Sequence, residues 1–237
     1  MRVDLADRFE LYLEDEFPLV QACVELAGRD VLDIGCGSGE TTRQAVVEGG
    51  ARRAVGLEVD EIQFAKNGQR EWPAGVGFRL LGAEALDFPD ASFDTVLMFK
   101  SLHHVPGALM AQAFAEIRRV LRPGGRVYVS EPVFAGPLNE ITRLYHDEEV
   151  VRERAIDAIE AALHDRLFTR ERQVRFQAPV HYASWEAFRK KIAGTTHTTH
   201  VLAPELEARV EAAFRAHLAP GGAHFVRPMR VDVLLRA

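Results

Sequence analysis

Residues 31–42 read VLDIGCGSGETT: an apolar run carrying an acid, then glycines at alternate positions, Gly35, Gly37 and Gly39. Glycine costs about 0.5–1 kcal/mol relative to alanine inside regular structure. Three of them directly after a buried run predict a tight turn, or a ligand pressed against the main chain. A second apolar run, AVGLE at 54–58, ends in Glu58, 19 positions after Gly39. A carboxylate there can accept both hydroxyls of a ribose, and a helix starting just after the glycine loop offers unpaired N–H groups. Loop and acid together describe a nucleoside-cofactor site. The dinucleotide fingerprint G-x-G-x-x-G wants its third glycine at position 40, where Glu40 stands. A carboxylate at that entrance repels a pyrophosphate. The loop-and-acid pair is nevertheless shared by NAD proteins and adenosyl-cofactor proteins, and by itself leaves both open.

Other residues able to do chemistry follow strand-like runs. His103 and His104 come after FDTVLMF (93–99), and Glu131 ends RVYVSE. A histidine with a reference pKa of about 6.5 can move a proton near neutrality. His104 and Glu131 are therefore the candidate acid–base groups, with packing, solvation or capping as their structural alternatives. Tyr12, His103, Tyr145 and His146 are candidates to line an acceptor pocket. In GTTHTTH (194–200), His197 and His200 are spaced to share a metal if helical, but no third ligand lies nearby in the sequence. A polar loop and no metal is the expectation.

The elements that must hold these groups alternate. Strands are predicted at 31–34, 54–58, 77–81, 93–99, 126–130, 173–180 and 231–235. Helices are predicted at about 41–48, from an Asp60 cap to about 70, over 108–121, 139–163, 184–193 and 206–218, plus two short ones within 5–27. Short apolar strands alternating with helices mean a mostly parallel sheet covered on both faces. The predicted fold is α/β, doubly wound and Rossmann-like, with seven strands and a helical cap inserted after the fifth. One domain is expected over 1–237: N-terminal helices to 27, a cofactor-binding core over 28–132, the insertion over 133–172, and C-terminal elements completing the sheet over 173–237.

With 47% hydrophobic and 27% charged residues, the 237-residue composition is that of an ordinary globular chain. A net charge of −6 argues against nucleic acid as the main ligand. The basic runs Arg52-Arg53 and Arg189-Lys190-Lys191 read as solvated faces. Two separated cysteines, Cys23 and Cys36, give neither a disulfide framework nor a zinc pattern. No apolar stretch approaches the roughly 18–20 residues of a membrane span, and the acidic N-terminus lacks a signal-peptide core. A cytoplasmic location is expected.

Four segments, VLDIGCGSGETT, AVGLEVDEIQFA, GAEALDFPDASFDTVLMFKSLHHV and EIRRVLRPGGRVYVSEP, together resemble the class I S-adenosylmethionine-dependent methyltransferases over about residues 28–132. The resemblance implies S-adenosylmethionine as cofactor and methyl transfer as the activity. It places the methionine portion on the loop of Asp33, Gly35, Cys36 and Gly37, the ribose on Glu58, and one adenine face on Val59. It puts Ala83 and Glu84 at the adenine edge and Phe99 and Lys100 beside the sulfonium. Many members place an aspartate where Gly82 stands; here the nearest acid is Glu84. The N-P-P-Y-type motif of nucleic-acid and protein amide methyltransferases is replaced by MFKS, so the expected acceptor is a small molecule, with no nucleic-acid or membrane partner. The chain would act as a monomer or homodimer. An NAD-dependent oxidoreductase and a non-catalytic cofactor-binding subunit are the alternatives.

Overall fold

The computed structural model describes residues 11–193 and 202–237, so the Thr-Thr-His repeat lies outside the described residues. Its contacts group the chain into two compact units. Among the described residues, the first comprises 15–131, 151–174 and 230–237; the second comprises 11–14, 132–150, 175–193 and 202–229. The stretch read as one insertion, 133–172, is divided between them.

After a two-residue β1 (Leu11–Tyr12), the elements in chain order are α1 (Phe17–Cys23), β2 (Asp30–Ile34), α2 (Glu40–Val47), β3 (Arg53–Glu58), α3 (Glu61–Gly68), β4 (Val76–Leu80), β5 (Phe93–Phe99), α4 (Met110–Val120) and β6 (Leu121–Pro132). There follow α5 (Pro137–Thr142), α6 (Glu149–His164), β7 (Thr169–Tyr182), α7 (Trp185–Ala193), α8 (Pro204–Arg215), β8 (Leu218–Ala219) and β9 (Gly222–Leu235).

The first unit carries the nucleoside-binding elements. β2 is buried along its whole length, as a central parallel strand must be. It pairs in parallel with β3 on one side and β5 on the other, so that Asp33 is in register with both Gly56 and Leu97. β4 extends the sheet beyond β3, and β6 extends it beyond β5, both in parallel. The strand order therefore reverses at β2, and the loop that follows it opens into the crevice where α/β sheets bind ligands. Helix α4 buries Met110, Ala113, Phe114, Ile117 and Val120 against the sheet, the i, i+3, i+4, i+7 stripe of an amphipathic helix. Full burial of such side chains is worth about 1.5–3 kcal/mol each. RPGG at 122–125 is not a free turn. It forms a bulge within β6, which carries the register from Phe93↔Leu121 to Thr95↔Arg126.

Nine strands are found among the described residues, two more than expected. The added pair are short. β1 pairs in parallel with β7 through Leu11↔Phe176 and Tyr12↔Gln177, so Tyr12 sits on a strand and not on the predicted helix. β8 joins β9 through a Pro220-Gly221 turn in which Gly221 has φ +99°. The predicted helix 139–163 is broken. The apolar periodicity runs on through the break, but Asp147 accepts the Glu149 N–H at 3.0 Å and starts α6 afresh. The second unit packs Trp185, Phe188, Phe214 and Phe225 together, with Phe188 and Phe214 stacked at 4.8 Å. The run Arg52-Arg53 is not merely solvated, since both guanidinium groups pair with the buried Asp30. Among the described residues, no helix is long and apolar enough to cross a membrane.

Candidate functional site

The loop between β2 and α2 is built on left-handed glycines, with φ of +72° at Gly35 and +52° at Gly37. The two glycines do different work. A Cβ on Gly35 would come 2.4 Å from Ser101 Cβ, so this position lets the loop lie against the segment after β5. A Cβ on Gly37 would meet nothing within 4 Å, so here bare main chain faces open space. The Ser101 hydroxyl donates to the Ile34 carbonyl at 2.7 Å, and the Asn67 amide donates to the Gly37 carbonyl at 2.7 Å. The loop is thus clamped from two sides, which removes much of the entropy a bound ligand would otherwise have to quench.

Glu58 stands at the end of β3 against this loop. Its Oε2 accepts the Gly37 N–H at 2.9 Å, and Oε1 accepts the N–H groups of Val59 and Asp60 at 2.8 and 2.9 Å. A carboxylate has about four acceptor sites, so three main-chain donors fix its orientation and leave capacity for a hydroxyl. Asp33 lies beneath the loop, fully buried, and accepts the Thr42 hydroxyl at 2.7 Å. Burial pushes its pKa up to about 7; the Thr42 bond opposes this and the Glu58 charge adds to it. Burial, with Asp33 and Glu58 nearby, also pushes the Cys36 thiol far up, so Cys36 is no nucleophile. Glu40, at the entrance of α2, is exposed and paired with Arg43 at 2.6 Å.

Beyond Glu58 lies an apolar shelf. Val59, Ile62 and Leu80 are 68%, 57% and 44% exposed, large apolar side chains left in water around one acid. Leu80 is the register partner of Glu58. Ala83 is buried, and Glu84 is half-buried with its carboxylate over Gly82.

On the other side, Phe99 and Lys100 close β5, and Lys100 has φ +54°, in the left-handed region. They border a cleft of about 280 Å³ together with Asp33, Gly35, Gly37 and Glu16. His103 is buried with its Nδ1 on Glu131 Oε2, while Glu131 Oε1 accepts the Leu102 N–H at 2.9 Å. Both Glu131 oxygens are therefore engaged within the protein, and the carboxylate orients His103. His104 is exposed, its ring 4.1 Å from that of His103.

Tyr12, Tyr145 and His146 belong to the second unit. Tyr12 is exposed on β1. Tyr145 and His146 lie in the break between α5 and α6, not inside a helix. Burial raises the Tyr145 phenol, and His146 Nε2 pairs with Glu148 at 2.9 Å.

Three site groups went unforeseen. Thr42 and Asn67 are set by distances that sequence spacing does not encode. Glu16 comes from an acid-rich stretch, YLEDEF, with no local signal to single it out.

The donor and acceptor set fits S-adenosylmethionine. Open main chain at Gly37, an oriented carboxylate at Glu58, exposed apolar side chains at Val59 and Leu80 and an acid-lined cleft are groups suited to a nucleoside that carries a cationic tail. Residues 32–129 match the family described as Methyltransferase domain. A ubiquinone biosynthesis O-methyltransferase of Methylococcus capsulatus is 36% identical over 112 residues, 47% of this chain and 46% of that protein. A demethylmenaquinone methyltransferase of Tropheryma whipplei is 34% identical over 138 residues, 56% of this chain and 55% of that protein. The chain thus spans about half the length of these curated relatives. The YcgJ protein of Bacillus subtilis shares the fold, with a TM-score of 0.65 at 20% identity over 93% of this chain and 97% of its own.

Proposed function

We propose, for a chain whose residues 32–129 match a family described as Methyltransferase domain, that it is a class I S-adenosylmethionine-dependent methyltransferase and transfers the methyl group of S-adenosylmethionine to a small-molecule acceptor. The observation that carries this reading is the Glu58 carboxylate, fixed by three N–H groups against the open main chain of Gly37. When bound, S-adenosylmethionine supplies a sulfonium methyl open to in-line attack.

The protein's part is placement. The Gly35–Gly39 loop and Asp33 hold the amino-acid tail, Glu58 takes a ribose hydroxyl, Val59 covers adenine and Glu84 reads its edge. Phe99 and Lys100 wall the transfer region and limit water. Orientation of this kind supplies up to about 7–11 kcal/mol in well-positioned cases. If the acceptor arrives protonated, exposed His104 is the group that takes its proton, and Glu131 serves by holding His103 beneath it. Tyr12, Tyr145 and His146 are the acceptor-side candidates.

One relative is named as a ubiquinone biosynthesis O-methyltransferase and the other as a demethylmenaquinone methyltransferase, which supports a small organic acceptor. A cytoplasmic setting belongs to the same reading. The acids of the cleft disfavour a pyrophosphate, so no observation favours the NAD alternative. Titration calorimetry with S-adenosylmethionine tests the reading. Glu58→Ala should weaken binding about tenfold to a hundredfold, as expected for lost charged hydrogen bonds. Unchanged affinity would refute the ribose assignment.

A further inference from the structure

Glu16 opens on the cleft without belonging to the loop-and-acid set. It immediately precedes α1, and its own carbonyl accepts the Leu19 and Val20 N–H groups at 3.0 and 3.2 Å, so its backbone is fixed. Its Oε1 accepts the Tyr128 hydroxyl at 2.9 Å. Tyr128 is fully buried, and its ring lies 5.3 Å from that of Phe99. One wall of the cleft is thus Phe99 and Lys100, a second the glycine loop over Asp33, and a third Glu16 itself.

A carboxylate held at the edge of the interior is costly unless something offsets its desolvation. The Tyr128 hydroxyl holds the Glu16 carboxylate, and its pKa is raised chiefly by burial, with Asp15 adding to this and Tyr128 and Lys100 opposing it. The cleft walls carry three acids, Asp15, Glu16 and Asp33, against the one lysine, Lys100. Asp33 keeps its proton for much of the time near neutral pH, so Asp15 and Glu16 are the acids that draw a cation to this cleft.

We propose that Glu16 reads the charge on the cofactor's sulfur: it attracts the sulfonium of S-adenosylmethionine and offers the neutral thioether product no equivalent attraction. The inference rests on the cofactor reading above. During transfer the C–S bond breaks with its electron pair left on sulfur. The acceptor's lone pair forms the new bond to the methyl carbon, and the acceptor then loses a proton or, if it entered as an anion, becomes neutral. The sulfur's positive charge is thereby lost, and with it the attraction to Glu16. Tyr128 is a positioning residue in this scheme, since it holds the carboxylate on the cleft wall. The consequence is a site that favours fresh donor over spent product.

Calorimetry tests this with three ligands: S-adenosylmethionine, S-adenosylhomocysteine and an amine analogue bearing an ammonium in place of the sulfonium. Glu16→Gln should weaken the two cations about tenfold and leave the thioether within about twofold. Tyr128→Phe should show the same selectivity with a smaller loss. Equal weakening of all three would place Glu16 on the shared amino-acid tail and overturn the proposal, as would no weakening of any. Should Glu16→Gln fail to fold by thermal melting, the natural protein decides alone. Tighter binding of the sulfonium than the thioether supports the proposal, and the reverse overturns it. Failure of the natural protein to bind any of the three would instead remove the cofactor reading itself.

Discussion

The carboxylate of Glu84 stands where a side chain on Gly82 would begin: a Cβ built there would come 2.5 Å from Oε2 and 2.6 Å from Oε1. No acid stands at Gly82 itself, yet the Glu84 carboxylate fills that space from two positions further on. The Glu84 carbonyl is tied to the Gln112 amide at 2.8 Å, which fixes the backbone that delivers it.

A swap tests that relationship. Glu84→Ala should weaken S-adenosylmethionine about tenfold, the value of one hydrogen bond to a charged group. Gly82→Asp alone should also weaken it, because two carboxylates would compete for one space. The double substitution should return affinity to within about threefold of the natural protein. Calorimetry reads all three. A double variant no better than Glu84→Ala would show that the two acids are not interchangeable.

The two loop glycines should separate stability from binding. Gly35→Ala puts a methyl 2.4 Å from Ser101 Cβ, on a residue with φ +72°. Left-handed strain alone costs about 1–2 kcal/mol, and the clash adds to it, so urea denaturation should show a large loss. Gly37→Ala meets no neighbour within 4 Å. It should cost only the left-handed strain, yet remove the flat main chain against which a ligand lies, and cofactor affinity should collapse. Equal losses of stability in the two variants would contradict this division.

How far these features could be read from the sequence depends on how far each signal travels along the chain. The strands from 31 to 130 announce themselves through local apolar runs and glycine punctuation, and Asp60 caps α3 as its type and place imply. The loop acids Asp33 and Glu58 follow the same local logic. Glu16 could not be found that way. It is one acid among several, and what distinguishes it is Tyr128, 112 residues later. The break before α6 was hidden for the opposite reason. Apolar spacing continued straight across it, and the single short-range bond to Asp147 outweighed that periodicity.

The buried pair His103–Glu131 offers a third test. Glu131→Ala would leave the Leu102 N–H and the His103 ring without their carboxylate partner in a buried site. An unsatisfied buried donor costs about 1–3 kcal/mol, so urea denaturation should register at least that loss. Glu131→Gln keeps an acceptor for one of the two and should recover part of it. If Glu131→Ala instead kept full stability while turnover fell, the carboxylate would be acting on the reaction and not on the histidine.

Asp33 ties the site to pH. Its folded pKa of about 7 lies above the ordinary aspartate value of 3.8 because burial disfavours the charged form. The folded protein therefore holds this proton more tightly than the unfolded chain. The contribution to stability is fully present below about pH 4, and it is lost as pH rises through about 7. Asp33→Asn should flatten that part of the pH–stability curve, and the difference between the two curves isolates the contribution of Asp33. A cationic ligand should reverse the preference, since a nearby positive charge favours the carboxylate. Binding of S-adenosylmethionine near pH 7 should then release a fraction of a proton. Calorimetry in buffers of different ionisation enthalpy would show it as a buffer-dependent heat, and Asp33→Asn should abolish that dependence. A heat independent of buffer in the natural protein would mean that Asp33 keeps its proton beneath the bound cofactor.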